Sequence, residues 1–153
     1  MHNAENKVLV SDICARLPYG IKGKVGIEVS SGNYSVGSGH LEFNDVDVDV
    51  ELLGYLDGDI VVQPIDEEYN EVISNNNFDM DDFVPYLRSI SSMTEDEKKK
   101  YALFYRAFSC SLYERESVER VDWLNAHHFD YRGLIEKGLA LEAPEDMYKD
   151  KNV

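Results

Sequence analysis

The pattern of hydrophobic and polar positions changes along the chain, from strand-like alternation in the first half to helical spacing in the second. The clearest alternation runs from Asp45 to Leu53. Side chains of a strand point to opposite faces in turn, so this period of two predicts a strand with two unlike faces. The apolar face would carry Val46, Val48, Val50 and Leu52, and the other face would carry Asp45, Asp47, Asp49 and Glu51.

Turn residues and shorter patterns predict the elements around that strand. Asp57-Gly58 is a favoured two-residue hairpin turn, so Asp59–Gln63 should return antiparallel and end at Pro64. Before the strand, Val25, Ile27 and Val29 alternate, and Gly32-Asn33 offers a turn into a further strand at Tyr34. Ser11-Asp12 can cap a short helix that stops before Pro18 and Gly20.

The second half of the chain carries helix signals. Thr94-Glu95-Asp96-Glu97 is a capping box, in which Thr94 begins the helix and Glu97 reaches back to it. An aromatic stripe follows at helical spacing and should lie on the sheet; it consists of Tyr101, Phe104, Tyr105 and Phe108. Ser117 can cap a further helix with Val118, Val121 and Leu124 on its apolar side, and Asp130 a last turn that Gly138 ends.

These elements predict a single α+β domain over residues 1–153, since 153 residues suit one domain and would make two very small ones. Residues 8–64 would form a short N-terminal helix and a small antiparallel β-meander, for which an SH3-like barrel is one alternative. Residues 65–82 would be a mobile acidic connector. Residues 83–144 would form a helical half with two or three helices, and residues 145–153 a frayed tail.

The negative charge is concentrated in one part of the sequence. The net charge is −15, yet fifteen acidic residues and no Lys or Arg lie between Val25 and Leu87, while fifteen acids and fifteen bases balance outside that window. Such a field repels nucleic-acid phosphates and anionic lipids, and it attracts basic protein surfaces. We therefore expect no direct binding to nucleic acid or membranes. The alternative is that the charge only keeps the domain soluble.

Other features of the sequence bear on the compartment. No stretch reaches the roughly 20 apolar residues of a membrane span. The first residues, MHNAENKVLV, lack the basic and then apolar pattern of a signal peptide. Cys14 and Cys110 are far apart and are expected to be free thiols in a reducing compartment. The sequence therefore predicts a cytoplasmic protein, and no pattern in it indicates an oligomeric state.

The acidic strand is the first candidate site. We call Asp45, Asp47, Asp49 and Glu51 the acidic row, and we group Asp57 and Asp59 with it as candidate binding residues. Alternate strand residues lie about 6.6–6.8 Å apart, a pitch comparable to that of DNA phosphates, so the row could occupy a basic protein such as a nucleic-acid-binding or defence protein. The alternative is a solvent-facing strand whose charges discourage edge-to-edge pairing.

The same run opens like a calcium-binding EF-hand loop, which needs Gly at its sixth position and Glu at its twelfth. Those positions hold Val50 and Leu56, so an EF-hand is rejected. No metal site and no cofactor is predicted.

His127, His128 and Asp130 are the second candidate site. Adjacent residues diverge by about 100° around a helix, so both His could bind one metal only where the helix ends between them. Asp130 could instead orient one His as an acid–base pair in a small hydrolase. The structural alternative has one His packed beneath the last helical turn while the other caps its carbonyls. A structural or virion-associated protein is a third possibility.

Three local blocks carry a resemblance. They are ARLPYG from Ala15, PYLRSISSMTE from Pro85, and DWLNAHHFDYRGL from Asp122. Together they resemble an uncharacterised protein family of gut Bacteroidales bacteria and of their phages and mobile elements. The resemblance implies a small accessory protein, encoded in a phage or mobile element, and it transfers no catalytic residue. With the charge map, it favours a non-enzymatic module that binds a basic host protein through the acidic row.

Overall fold

A computed structural model describes residues 2–34, 41–106 and 113–149. Its main elements, in chain order, are α1 (His2–Arg16), β1 (Lys22–Tyr34), β2 (Leu41–Leu56), β3 (Asp59–Pro64), α2 (Asn70–Ser74), β4 (Phe78–Asp79), β5 (Phe83–Leu87), α3 (Glu95–Arg106), α4 (Tyr113–Ala126) and β6 (Leu141–Glu142). Short 3₁₀ helices lie at Leu17–Tyr19, Glu67–Tyr69, Met80–Asp82 and Ile90–Ser92. The predicted α+β class is confirmed.

The chain divides into two compact units. Residues Gly20–Pro85 form one, which we call the sheet unit; Met1–Tyr19 and Tyr86–Val153 form the other, the helical unit. None of the helices in the described ranges is both long enough and apolar enough to cross a bilayer.

The strands of the sheet unit are antiparallel in the order β4-β3-β2-β1-β5; β1 to β4 form a meander, and β5 pairs with β1. The predicted strand Asp45–Leu53 is confirmed and is longer than expected, running from Leu41 to Leu56. Its inward positions alternate with exposed acids, as the period of two requires. The sheet is curled and its first and last strands do not pair in the described residues, so a partial barrel fits it. The buried inner face includes Val25, Ile27, Val48, Val50, Leu52, Ile60 and Phe83.

The hairpin at Asp57-Gly58 is confirmed. Both residues have positive φ, at 51° and 93°, which is the backbone that a two-residue turn of this kind requires. The chain then returns as β3 from Asp59 to Pro64, one residue beyond the predicted end.

Two parts of the sheet unit differ from what the sequence indicated. The turn expected at Gly32-Asn33 does not form, because β1 continues to Tyr34; the predicted strand beyond Tyr34 lies outside the described residues. Residues 65–82, expected to be a mobile acidic connector, hold α2, β4 and two 3₁₀ helices. Their carboxylates cap backbone N–H groups: Asp79 and Asp82 form a capping box. Apolar side chains anchor the segment by burial; they are Ile73, Phe78 and Met80.

The helical unit also departs from its prediction at two helix starts. Helix α1 begins at His2 rather than near Ser11, and Leu9 and Ile13 form its buried side at a spacing of four. Asp12 therefore lies inside the helix and not at its cap. Helix α4 begins at Tyr113, ahead of Ser117, and Val118, expected on its apolar side, is exposed.

Other helix signals were correct. The backbone N–H of Glu97 donates to Thr94 Oγ1 at 3.2 Å, and the backbone N–H of Thr94 donates to Glu97 Oε1 at 2.9 Å, so the capping box forms. The core of the unit is built around Phe129, Leu124 and Met93, with Trp123 and Tyr101 packed against them. Tyr86 and Leu87 at the end of β5 pair in parallel with β6. Of the predicted aromatic stripe, Phe108 and the side chain of Tyr105 lie outside the described residues.

Candidate functional site

The acidic row lies on the outer face of the sheet unit, the face opposite its core. Asp45, Asp47 and Asp49 are exposed and Glu51 is half-buried, while Val48 and Val50 between them are almost completely buried. The side chains from Asp47 to Leu52 therefore alternate between the outer face and the core, as the sequence predicted. Strand β1 pairs with β2 along the whole row, whereas in the described residues β3 pairs with β2 from Val50 to Leu56 and the N–H of Ile65 reaches the carbonyl oxygen of Asp49, so the Glu51 end of the row is flanked on both sides.

Two lysines lie next to one end of the row. Residues directly opposite each other in an antiparallel pair share a face. Lys22 lies opposite Glu51 and Lys24 lies opposite Asp49, whereas Gly26 lies opposite Asp47 and Glu28 opposite Asp45. The row is therefore uneven, with its Glu51 end beside cations and its Asp45 end reinforced by a further carboxylate.

The charge imbalance coincides with a structural unit. Residues 20–85 contain fifteen acidic residues and two lysines, and those lysines are Lys22 and Lys24. The remaining residues contain fifteen acids and thirteen bases. The sheet unit thus retains a large negative charge after its own cations are counted, because most of its carboxylates have no cation among their neighbours in sequence.

Asp57 and Asp59 are exposed, but they lie at the opposite end of β2 from Asp45. Asp57 is the first residue of the hairpin turn, and Asp59 lies opposite Leu56 on one side and Asp79 on the other. Strand rise puts Asp45 and Leu56 about 36 Å apart. The structure therefore places these two residues in a second acidic group with Asp79 rather than in the acidic row.

The second candidate site lies in the helical unit, and its members have separate partners. His127 Nδ1 lies 2.9 Å from the carbonyl oxygen of Trp123, so it donates there and the neutral ring keeps its lone pair on Nε2. His128 has φ of 59° and is buried, with Nε2 2.9 Å from the carbonyl oxygen of Tyr19. Asp130 accepts the N–H groups of Leu134 and Ile135 at 2.8 and 3.0 Å.

This arrangement matches the structural alternative. His127 caps a carbonyl of the last turn of α4, His128 is packed beneath it, and Asp130 caps the next turn, as the sequence predicted for that residue. The carboxylate oxygens of Asp130 are used by the backbone. No group of three or more His, Cys, Asp or Glu suited to a metal ion occurs within residues 2–34, 41–106 and 113–149.

His127 nevertheless lines a cleft of about 520 Å³ in the helical unit. One wall is Arg88 with Glu97, and another is the segment from Glu142 to Lys149. Tyr148 fixes that segment, because its hydroxyl donates to the carbonyl oxygen of Tyr86 at 2.8 Å and its ring stacks on His128 with centroids 3.9 Å apart. The cleft is of a size that small-molecule sites have.

A half-buried ion pair of the cleft joins Arg88 and Glu97. The guanidinium donates to both carboxylate oxygens, at 2.7 and 2.9 Å, and its Cζ lies 4.2 Å from the centroid of the Phe129 ring. Burial alone would raise the pKa of Glu97, but hydrogen bonds from Arg88 and Thr94 and the charge of Arg88 outweigh it and lower that pKa to about 2. Glu97 therefore stays ionised at any physiological pH.

The Glu97→Gln variant tests this ion pair. We expect it to lose about 2 kcal/mol of unfolding free energy at pH 7, the size of a charge-assisted hydrogen-bond interaction. The folded pKa of about 2 lies below the ordinary 4.5, so the ionised form stabilises the fold above pH 4.5 and this contribution declines as the pH falls towards 2. Urea unfolding should show that the difference in unfolding free energy between wild type and variant is smaller at pH 3 than at pH 7. Glu95→Gln, at a largely exposed site of the same helix, is the control.

Sequence reasoning missed a second ion network, in which the first and third blocks meet. Arg16 and Asp12 are completely buried; Arg16 Nε and Nη2 donate to the Asp12 carboxylate at 2.9 and 3.1 Å, and Nη2 also donates to the carbonyl oxygen of Phe129 at 2.7 Å. Arg132 Nε lies 3.2 Å from Asp12 Oδ1. The guanidinium carbons of Arg16 and Arg132 lie 5.3 and 5.4 Å from the centroid of the Tyr131 ring.

The second block contributes to the same core through Arg88, which packs on Phe129. The residues of the three blocks thus come together inside the helical unit, and the only advance signal of this was that all three were rich in Arg and aromatic residues. Comparisons with protein-family models, curated proteins and solved structures gave no match to this chain.

Proposed function

We propose that this protein is a non-enzymatic interaction module whose sheet unit binds a basic protein surface through the acidic row. The observation that carries the proposal is the exposure of Asp45, Asp47 and Asp49 on a unit with fifteen acids and two lysines. A surface of this kind speeds encounter with a basic partner and repels nucleic acids and anionic lipids.

The partner chemistry follows from the position of the row. Strand β2 is paired with β1 along the whole row and with β3 from Val50 onwards, and the carboxylates project from the face of the sheet, so a partner reaches the row with its side chains. Lys and Arg side chains are the groups that match carboxylates at this pitch. A nucleic-acid-binding or defence protein of the host cytoplasm presents such side chains, which agrees with a phage or mobile-element origin.

Replacing Asp45, Asp47 and Asp49 by Asn should weaken binding to a basic DNA-binding probe, for which purified histones serve, by at least about tenfold at low salt. The matched control removes three charges from another exposed part of the same unit, by E67Q, E68Q and E71Q, and should change the affinity by less than about threefold. Surface-captured histones and biolayer interferometry give both dissociation constants.

Salt provides the second readout. Exposed charges are screened within about 10 Å at 0.1 M and about 3 Å at 1 M, so binding should decline steeply over that range. Equal losses in the two triple variants would show that net charge alone drives the interaction. Undiminished binding at 1 M salt would contradict the proposal outright.

A further inference from the structure

Three large apolar side chains lie exposed on the outer face of the sheet unit. Leu53, Val61 and Ile65 are 54%, 60% and 49% exposed. Val61 points away from the core because Ile60 beside it is buried, and Leu53 does so because Leu52 is buried. Ile65 extends the ladder beyond β3 through its N–H, which donates to the carbonyl oxygen of Asp49 at 3.0 Å. Water-exposed apolar groups gathered in one place mark interaction surfaces.

The register puts these side chains beside the acidic row. Ile65 neighbours Asp49, and Gln63 lies opposite Glu51. Leu53 is the extra residue of a bulge between the Leu52–Val62 and Gly54–Val61 pairs, which turns it out next to Val61. From Asp45 to Leu53 the face is about 26 Å long, given the rise of a strand. The carboxylates lie along β2, and Val61 and Ile65 lie on the adjoining β3 side, towards the Leu53 end.

The chemistry of a ligand for this face is therefore mixed. A plain polycation would satisfy only the Asp45 end, because Lys22 and Lys24 face Glu51 and Asp49 across the strand pair. A plain apolar segment would leave the carboxylates facing it without partners, and burying an unpaired charge is unfavourable. A segment that carries cations along one side and apolar residues along the other contacts both the carboxylates on β2 and the apolar side chains beside them.

We infer that the partner presents a cationic amphipathic helix to this face, an inference that rests on the proposed function. About 26 Å corresponds to roughly 17 helical residues at 1.5 Å each. Residues four apart in a helix are about 6 Å apart along its axis, close to the 6.6–6.8 Å between alternate strand positions. Lys or Arg at that spacing meets Asp45 and Asp47, while Leu or Phe on the adjoining stripe covers Leu53, Val61 and Ile65.

The test uses two synthetic 18-residue peptides of identical composition, both rich in Lys and Leu. In one the Lys and Leu residues form separate helical stripes, and in the other their order is scrambled. Fluorescence anisotropy with the full-length protein should show at least tenfold tighter binding of the striped peptide, and part of that binding should persist at 0.5 M salt. Helicity of the bound peptide, followed by circular dichroism, should rise.

Variants separate this inference from the proposed function. L53N with V61T should remove the preference for the striped peptide and leave the weak, salt-sensitive binding of the scrambled one. D45N with D47N should weaken the binding of both peptides. Equal affinity for the two peptides, lost in D45N with D47N, would overturn the helix inference and leave acidic docking standing. Failure of both peptides to bind would overturn both. Because all four positions are solvent-exposed or half-exposed, thermal melts of the variants should match wild type.

Discussion

The Asp12→Ala variant is expected to lose about 3–5 kcal/mol of unfolding free energy, the range for breaking one side of a buried ion pair. The carboxylate is completely buried and is contacted by Arg16 and Arg132, at 2.9 and 3.2 Å. Its removal leaves the Arg16 guanidinium buried with the carbonyl oxygen of Phe129 as its remaining acceptor. Urea unfolding at pH 7 measures the loss, which is a large fraction of the roughly 5–15 kcal/mol by which folded domains are stable.

A second variant separates the loss of the charge from the loss of packing. Asp12→Ala combined with Arg16→Met removes both buried charges, and hydrophobic replacement of a buried pair is often neutral. The double variant should therefore be more stable than Asp12→Ala alone, although it loses one more native side chain. A double variant less stable than the single one would show that Arg16 stabilises the unit without needing Asp12. A loss below about 1 kcal/mol for Asp12→Ala would show that the pair contributes little.

The Gly23→Ala variant is expected to lose about 3 kcal/mol of unfolding free energy, the upper end of the usual range for overpacking. A Cβ at this position would lie 2.5 Å from Cε2 and Cζ of Phe83 and 2.5 Å from the carbonyl oxygen of Val84. Phe83 is 1% exposed and cannot turn aside, and Val84 is held by its pairing with Lys24. The clash therefore has to be relieved by moving β5 away from β1.

Gly26→Ala on the same strand is the matched control. There a Cβ would lie 3.8 Å from Asp47 Oδ1, an ordinary contact, and the position is exposed. Because Ala restricts the unfolded chain more than Gly does, this variant should be neutral or more stable by up to about 1 kcal/mol. Equal effects of the two substitutions would mean that β5 does not pack against Gly23 as described. Adding Phe83→Leu to Gly23→Ala should recover part of the loss, since the clashing ring atoms are removed.

Elements specified by neighbouring residues could be predicted from the sequence. The strand at Asp45–Leu53 follows from eight alternating positions, the hairpin from Asp57-Gly58, and the start of α3 from Thr94 and Glu97. Each depends on contacts within a few residues, so the pattern alone contains the information.

Features that depend on distant partners could not be predicted. Strand β5 contains Pro85, which argues against a strand, and it exists because it pairs with Gly23, some sixty residues away. Asp12 looked like a helix cap because nothing near it in the sequence shows that its ion pair with Arg16 is buried or that Arg132, 120 residues further on, contacts it. The lysines beside the acidic row were also missed, since only the register of β1 against β2 brings Lys22 and Lys24 opposite Glu51 and Asp49.

The alternation in β2 separates two tasks within one short segment. Val48, Val50 and Leu52 fill the interior, whereas Asp45, Asp47 and Asp49 make no contribution to it. The charge of these exposed positions can therefore be inverted, by replacing Asp with Lys, without changing a core residue. Two chains differing only in this way would carry opposite local charges along one strand of the same scaffold, the starting point for a pair of binders with different partners.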